Sequence, residues 1–388
     1  MSKWRLPICT LIAAIFLGAN AMAAEVEKKA VWSTVDVNLY GFIKLDVSYD
    51  TARTDVGNFA RWVESEELNE DDDQMNITAN QTRLGLKFNG PDFGGGKSFG
   101  RVEVDFYGGG SENKANLMMR HAYMQLSWPG ADFSIIGGQT SDVISPLVPS
   151  TLNYTVGWWA GDIGYRRPQL RLTKGFGDNV RLQLEVAATR SIGDANSFSP
   201  GDTGEDAGEP AWQGRLSLAV PTVKGKKAVL GVSGHYGREE YDLDLEDTNE
   251  EIETNSFNVD LTLPVTKWLT LKGEYFFGEN LDAYLGGIGQ GIDTVELEEI
   301  YSTGGWGAAT IGPFSALTFN LGATVDDPDD DDLDVGARTI NQSYFGNVVY
   351  KVNSAVKVGF EVSYWLTDYK EMDEGDSIRF QSSMIYAF

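Results

Sequence analysis

Apolar and polar residues alternate along this chain with a period of two. Val35, Val37, Leu39, Gly41, Ile43, Leu45, Val47 and Tyr49 fall on one face. Asp36, Asn38, Tyr40, Phe42, Lys44, Asp46, Ser48 and Asp50 fall on the other. Successive strand side chains point to opposite faces, so the pattern predicts a strand with one oily and one wet side. The run is also far longer than the roughly five or six residues usual in a soluble sheet. Residues 179–190 and 355–369 repeat the pattern, and no stretch shows a 3.6-residue apolar period.

Marking each run predicts strands at 35–50, 76–89, 97–108, 116–128, 132–140, 164–174, 179–190, 210–221, 227–240, 254–264, 268–280, 296–311, 315–325, 338–351, 355–369 and 376–388. Their connections alternate between short turns, most with Gly or Pro, and longer loops. An even number of long strands with that rhythm predicts an all-β fold, a transmembrane antiparallel β-barrel of 16 strands with both termini at the short-turn, periplasmic end. A soluble sandwich would show shorter strands and no such rhythm. Ile378, Phe380, Ser382, Met384, Tyr386 and Phe388 share a face of the last strand. This aromatic-rich ending is similar to the signal read by the outer-membrane assembly machinery. Aromatics near strand ends, at Tyr49, Trp128, Tyr350 and Tyr364, suit interfacial girdles.

The N-terminus reads differently. Lys3 and Arg5 precede an apolar run from Leu6 to Leu17, and Ala21-Met22-Ala23 then supplies a small-x-small cleavage pattern. This predicts a signal peptide over residues 1–23 and a short periplasmic segment over 24–34, ahead of the barrel at 35–388. Cys9 falls inside the signal, without the small residues that precede a lipidated cysteine. No other apolar stretch approaches the ~20 residues a spanning helix needs.

Composition narrows the function. The 57 Asp plus Glu against 31 Lys plus Arg give a formal charge of −26. That excludes a nucleic-acid partner, which requires a basic face. One cysteine and two histidines leave no disulfide scaffold, no thiolate zinc site and no cofactor implied. An enzyme would need a nucleophile, a base and an orienting group. Only His121 and His235 are available as imidazole bases, and no Gly-x-Ser-x-Gly or His-Glu-x-x-His motif occurs.

Sixteen strands enclose an aqueous lumen, which predicts a porin for passive diffusion of small hydrophilic solutes. The third long loop, about 141–163, carries Asp142, Val148, Leu152, Trp158, Trp159 and Asp162, apolar enough to fold inward against a wall and constrict the pore. Alternation sends Arg167 and Arg171 into the lumen and puts Arg166 with Pro168, Leu170 and Leu172 on the outward face. Arg83, Arg101 and Arg181 also phase inward. Arg120 phases outward unless a bulge intervenes. A ladder of lumen arginines, always charged and able to grip a carboxylate through two hydrogen bonds, favours organic anions. The alternative is that these arginines pair with Glu103, Asp105 and Glu185 and only shape the field.

Several segments resemble the DcaP-like trimeric outer-membrane porins of Gram-negative bacteria. They are Tyr40-Gly41-Phe42-Ile43-Lys44-Leu45-Asp46, Arg120-His121-Ala122-Tyr123, Gly138-Gln139-Thr140 and Arg167-Pro168-Gln169-Leu170-Arg171. The resemblance covers much of residues 38–174. It implies a homotrimer in the outer membrane, passing small organic anions such as dicarboxylates, with Arg120, Arg167 and Arg171 lining the eyelet. The chain departs from the family in two places. Residues 24–34 are too short for the coiled-coil extension of some members, and the Trp158-Trp159 loop is different.

A cation-selective or unselective general porin is the competing reading, suggested by acidic loops, and a plugged structural barrel is a further one. Loops 51–75, 241–253 and 326–337 hold 8, 7 and 7 acidic residues, against only Arg53 and Arg61. Residues 76–240 are balanced, with 17 basic and 16 acidic side chains. The acidity is therefore expected at the outer mouth, where it slows anion access at low salt. The run Asp326–Asp332 offers oxygen ligands to calcium but lacks EF-hand spacing. It reads as a solvated loop, with divalent bridging to lipopolysaccharide as a middle case.

Overall fold

The computed structural model describes residues 33–69, 72–193, 203–223, 225–243, 249–293 and 296–388. The expected signal at 1–23 lies outside these residues, as does the segment 24–34 up to residue 32. The chain forms one closed antiparallel barrel of 16 strands. They are β1 (Asp36–Asp50), β2 in two pieces (Gln74–Thr78 and Arg83–Asn89), β3 (Lys97–Asp105), β4 (Met118–Trp128), β5 (Phe133–Ser141), β6 (Arg166–Phe176), β7 (Arg181–Thr189) and β8 (Ala211–Pro221). The circuit continues through β9 (Lys227–Asp242), β10 (Asn249–Pro264), β11 (Leu269–Glu279), β12 (Tyr301–Phe314), β13 (Leu317–Pro328), β14 (Arg338–Lys351), β15 (Val356–Tyr369) and β16 (Met372–Ala387). Each strand pairs with its chain neighbours, and β1 closes on β16 from Phe42↔Ala387 to Asp50↔Arg379.

Burial is inverted relative to a soluble protein. Leu39 and Ile43 are 59% and 55% exposed on the outer face, while Asp50 and Arg379 inside the barrel are 0% and 1% exposed. A membrane solvates the first pair. The second pair is an ion pair, with Arg379 Nη1 2.8 Å from Asp50 Oδ2. This is what period-two alternation produces when the sheet closes around a polar interior. At the seam the terminal residue adds one further rung, because Gly41 N and Phe388 N each donate to the other's carbonyl at 3.2 and 3.1 Å. Gly41 is required there, since a Cβ would lie 2.2 Å from the Arg83 carbonyl oxygen.

Most strand limits agree with the alternation to within a few residues. Three differ, each through local pairing. β12 starts at Tyr301 because Ile292–Asp293 and Glu298–Glu299 form their own small hairpin. β10 starts at Asn249, since its pairing with β9 runs out to Asp242↔Asn249. β16 starts at Met372, which leaves a tight turn where a longer loop was expected. The acidic run at 326 is likewise partly strand. Asp326 points inward and accepts from Ser302 Oγ at 2.8 Å. Among the described residues no group of His, Cys, Asp or Glu is arranged to hold a metal.

Two irregularities shape the interior. β2 breaks between Thr78 and Arg83, where Thr82 N bonds the Ala79 carbonyl. In β3–β4 the register passes from Glu103↔His121 to Val104↔Met119, so Arg120 is an extra residue. Outer loops then fill one side of the lumen. Ile144 and Ile163 of the third loop pack with Phe276, Leu281 and Tyr284, while Ala52, Ala60 and Val63 of the first loop pack with Ala160 and Trp365.

Candidate functional site

The third loop, residues 142–165, crosses the barrel interior and is hydrogen-bonded to strands on the far side. The Leu152 N–H donates to Glu361 Oε2 at 2.7 Å, and the Leu152 carbonyl accepts from Lys44 Nζ and Gln381 Nε2 at 2.9 and 2.8 Å. Asn341 and Asn347 hold the Trp159 and Ser150 carbonyls, each at 2.7 Å. Polar residues on four adjacent strands, β14, β15, β16 and β1, thus replace the water that a free loop would bind. Trp158 and Leu152 are buried as expected. Val148 stays exposed, in contrast to the expectation that it packs on the wall.

The two acids of this loop are anchors. Asp142 Oδ1 lies 3.0 Å from Arg167 Nε and accepts from Gln213 Nε2 at 2.9 Å. Asp162 is wholly buried beside Glu274. Ser145 Oγ donates to both, at 3.4 and 2.5 Å, and the Leu147 N–H donates to Glu274 Oε1 at 2.8 Å. Burial, reinforced by the Glu274 carboxylate, pushes Asp162 well above the usual carboxylate range.

A cavity of about 270 Å³ remains between this loop and the wall formed by β2, β4 and the start of β6. One side carries Gln81, Arg83, Arg120 and Arg166. The other carries Tyr154, Trp158, Leu147, Val148 and Ile163. Burial pushes the Tyr154 hydroxyl up to about 12, so it stays uncharged, and Asp142 also lines the cavity. The arginines converge through the two irregularities of β2 and β4. The break in β2 brings Arg83 inward, and the bulge turns Arg120 into the lumen beside His121.

The sequence-derived arginines separate into groups. Arg120 is fully engaged, with Nε 3.0 Å from Glu103 Oε1 and Nη1 2.8 Å from Asp105 Oδ2. Arg101 pairs with Glu103 at 2.5 Å and donates to Tyr40 Oη at 2.6 Å. Arg83 is looser, at 3.5 Å from Glu103 and 3.9 Å from Asp105. Arg167 lies behind the loop, stacked 3.8 Å from the Tyr284 ring centroid. Arg171 bonds Gln169 Oε1 at 2.9 Å and lies 3.8 Å from Glu185. Arg181 sits at the short-turn rim, 2.7 Å from Asp132. Trp159 lies under the Arg61 guanidinium, 4.8 Å from the ring centroid.

Arg166 corrects its assignment to the outward face. It is 6% exposed and folds over Tyr165 and Trp158, 4.6 and 5.2 Å from their ring centroids. The chain has only just turned at Gly164, with φ of 96°, so strand alternation is not yet established at this position. Its Nε and Nη2 have no hydrogen-bond partner among the described residues. A loop-to-strand junction following a left-handed glycine is the signal that marks such a residue.

The family profile described as DcaP outer membrane protein matches residues 10–187. No curated protein matches. Among solved structures, the outer membrane channel DcaP of Acinetobacter baumannii is 22% identical over 92% of this chain and 99% of that one, with a TM-score of 0.76. OmpT of Vibrio cholerae is 11% identical, covering 93% and 100%, with a TM-score of 0.57. OmpF of Salmonella typhi is 13% identical, covering 91% and 98%, with a TM-score of 0.53. The fold is that of outer-membrane channels, and the chain is DcaP-like over its N-terminal half.

Proposed function

We propose that this outer-membrane β-barrel, DcaP-like over residues 10–187 and of the porin type, passes small organic anions, dicarboxylates among them. One observation carries the reading. Arg166 is buried at the cavity with two guanidinium nitrogens unpartnered, beside an incompletely paired Arg83. A buried guanidinium without an acceptor is costly, and a passing carboxylate supplies one through parallel hydrogen bonds. The acids paired with Arg83, Arg101 and Arg120 are Glu103 and Asp105, and Asp142, which also lines the cavity, is paired with Arg167, leaving an excess of positive charge where the passage is narrow. Inward folding of loop 142–165 acts as the constriction. Assembly as a homotrimer rests on the family resemblance.

The test is reversal potential in planar bilayers under a salt gradient. Chloride preference that falls in Arg166→Gln and Arg83→Gln supports the proposal. Clear potassium preference of the unaltered channel overturns it and establishes the cation-selective reading that the acidic loops suggest.

A further inference from the structure

An anion-favouring cavity does not need a buried carboxylate among its arginines, yet Glu103 is there, only 2% exposed. Its Oε1 lies 3.0 Å from Arg120 Nε and 3.5 Å from Arg83 Nε. Its Oε2 lies 2.5 Å from Arg101 Nη2 and accepts from Tyr40 Oη at 2.8 Å. We propose that Glu103 is a built-in competitor for the guanidinium donors of the pore and sets how long a carboxylate solute is retained. The inference rests on the anion reading above.

The acids grade the arginines. Glu103 and Asp105 occupy two edges of Arg120, reach Arg83 only at 3.5 and 3.9 Å, and leave Arg166 without a carboxylate. Arg166 is therefore left without a carboxylate, Arg83 has only loose ones and Arg120 is already held. Conduction requires a site that attracts its ion and also lets it go. A wall of free arginines would grip both ends of a dicarboxylate and hold it. The Glu103 carboxylate has the same chemistry as the proposed solute and takes donors that a second carboxylate would otherwise use.

Glu103→Gln removes the charge and keeps the shape and an oxygen acceptor for Tyr40. It frees the Nε edge of Arg120 and removes the carboxylate charge beside Arg83. The experiment is single-channel recording of the full protein in planar bilayers with succinate added, after heat-modifiable mobility has confirmed folding. One released charged contact lengthens the succinate dwell time about tenfold, while the maximal flux falls. Asp105→Asn, which frees Arg120 Nη1, lengthens it in the same direction and decides the matter alone if Glu103→Gln does not fold. A dwell time unchanged or shortened in the folded variants overturns the inference while leaving the anion reading intact. Potassium preference and no succinate block in the unaltered channel remove the anion reading first, and this inference with it.

Discussion

Arg167 Nε lies 3.0 Å from Asp142 Oδ1, with both side chains 1% exposed, and this pair fastens the start of the third loop to β6. Its guanidinium also donates to the Ala283 carbonyl at 3.0 Å, joining the loop between β11 and β12 to the same point. An arginine phased into the lumen thus serves as a clamp between loops.

Arg167→Gln leaves Asp142 buried without its cation, a loss of about 3–5 kcal/mol for a broken buried pair. The expected outcome is a lower unfolding temperature and proteolytic cutting within 142–165. Thermal unfolding in detergent and limited chymotrypsin digestion, which can cut at Tyr154, Trp158 and Trp159, measure both.

Arg181→Gln gives a control of opposite kind. Its partner Asp132 is at the short-turn rim, and both side chains are more than a third exposed. Such a pair contributes roughly 0–1 kcal/mol. Stability stays within that range, and the reversal potential moves far less than in Arg166→Gln, which removes the unpartnered group at the cavity. The same bilayer measurement separates the two.

The barrel was legible because period-two alternation and turn spacing are local properties. Leu39 and Asp50 announce their faces directly, and the β1–β16 closure follows from strand number. The site was legible only in residue type. Arg120 reaches the lumen through a bulge opposite Glu103–Val104, and Arg166 through a turn at Gly164. Both break the alternation that identified the strands. Whether an arginine lines the cavity or clamps a loop depends on where Asp142 and Tyr284 come to rest, which contacts far apart in sequence decide.

Asp162 gives a pH dependence with a defined sign. Burial and Glu274 raise its folded value above the ordinary 3.8. The protonated form favours the folded loop, so this stabilisation is complete below the unfolded value and is lost as pH rises through the folded one. Stability of the unaltered protein therefore declines from acid to alkaline pH more steeply than that of Asp162→Asn, which stays neutral throughout. Parallel melting curves between pH 4 and pH 9 test this. Equal slopes count against a raised folded value for Asp162.

Gly161 tests whether the position of the third loop sets the opening. Its φ is 113°, and a Cβ there would lie 2.3 Å from the Gly305 carbonyl oxygen and 2.4 Å from that of Val325. These atoms belong to β12 and β13 backbone and cannot rotate aside, so Gly161→Ala must push the loop off that wall. The wall stands opposite the arginines, and the displaced loop moves toward Arg83, Arg120 and Arg166. The cavity between them narrows, and single-channel conductance in potassium chloride falls while the barrel itself stays folded. A conductance equal to that of the unaltered channel, with heat-modifiable mobility preserved, would show that the loop does not govern the passage.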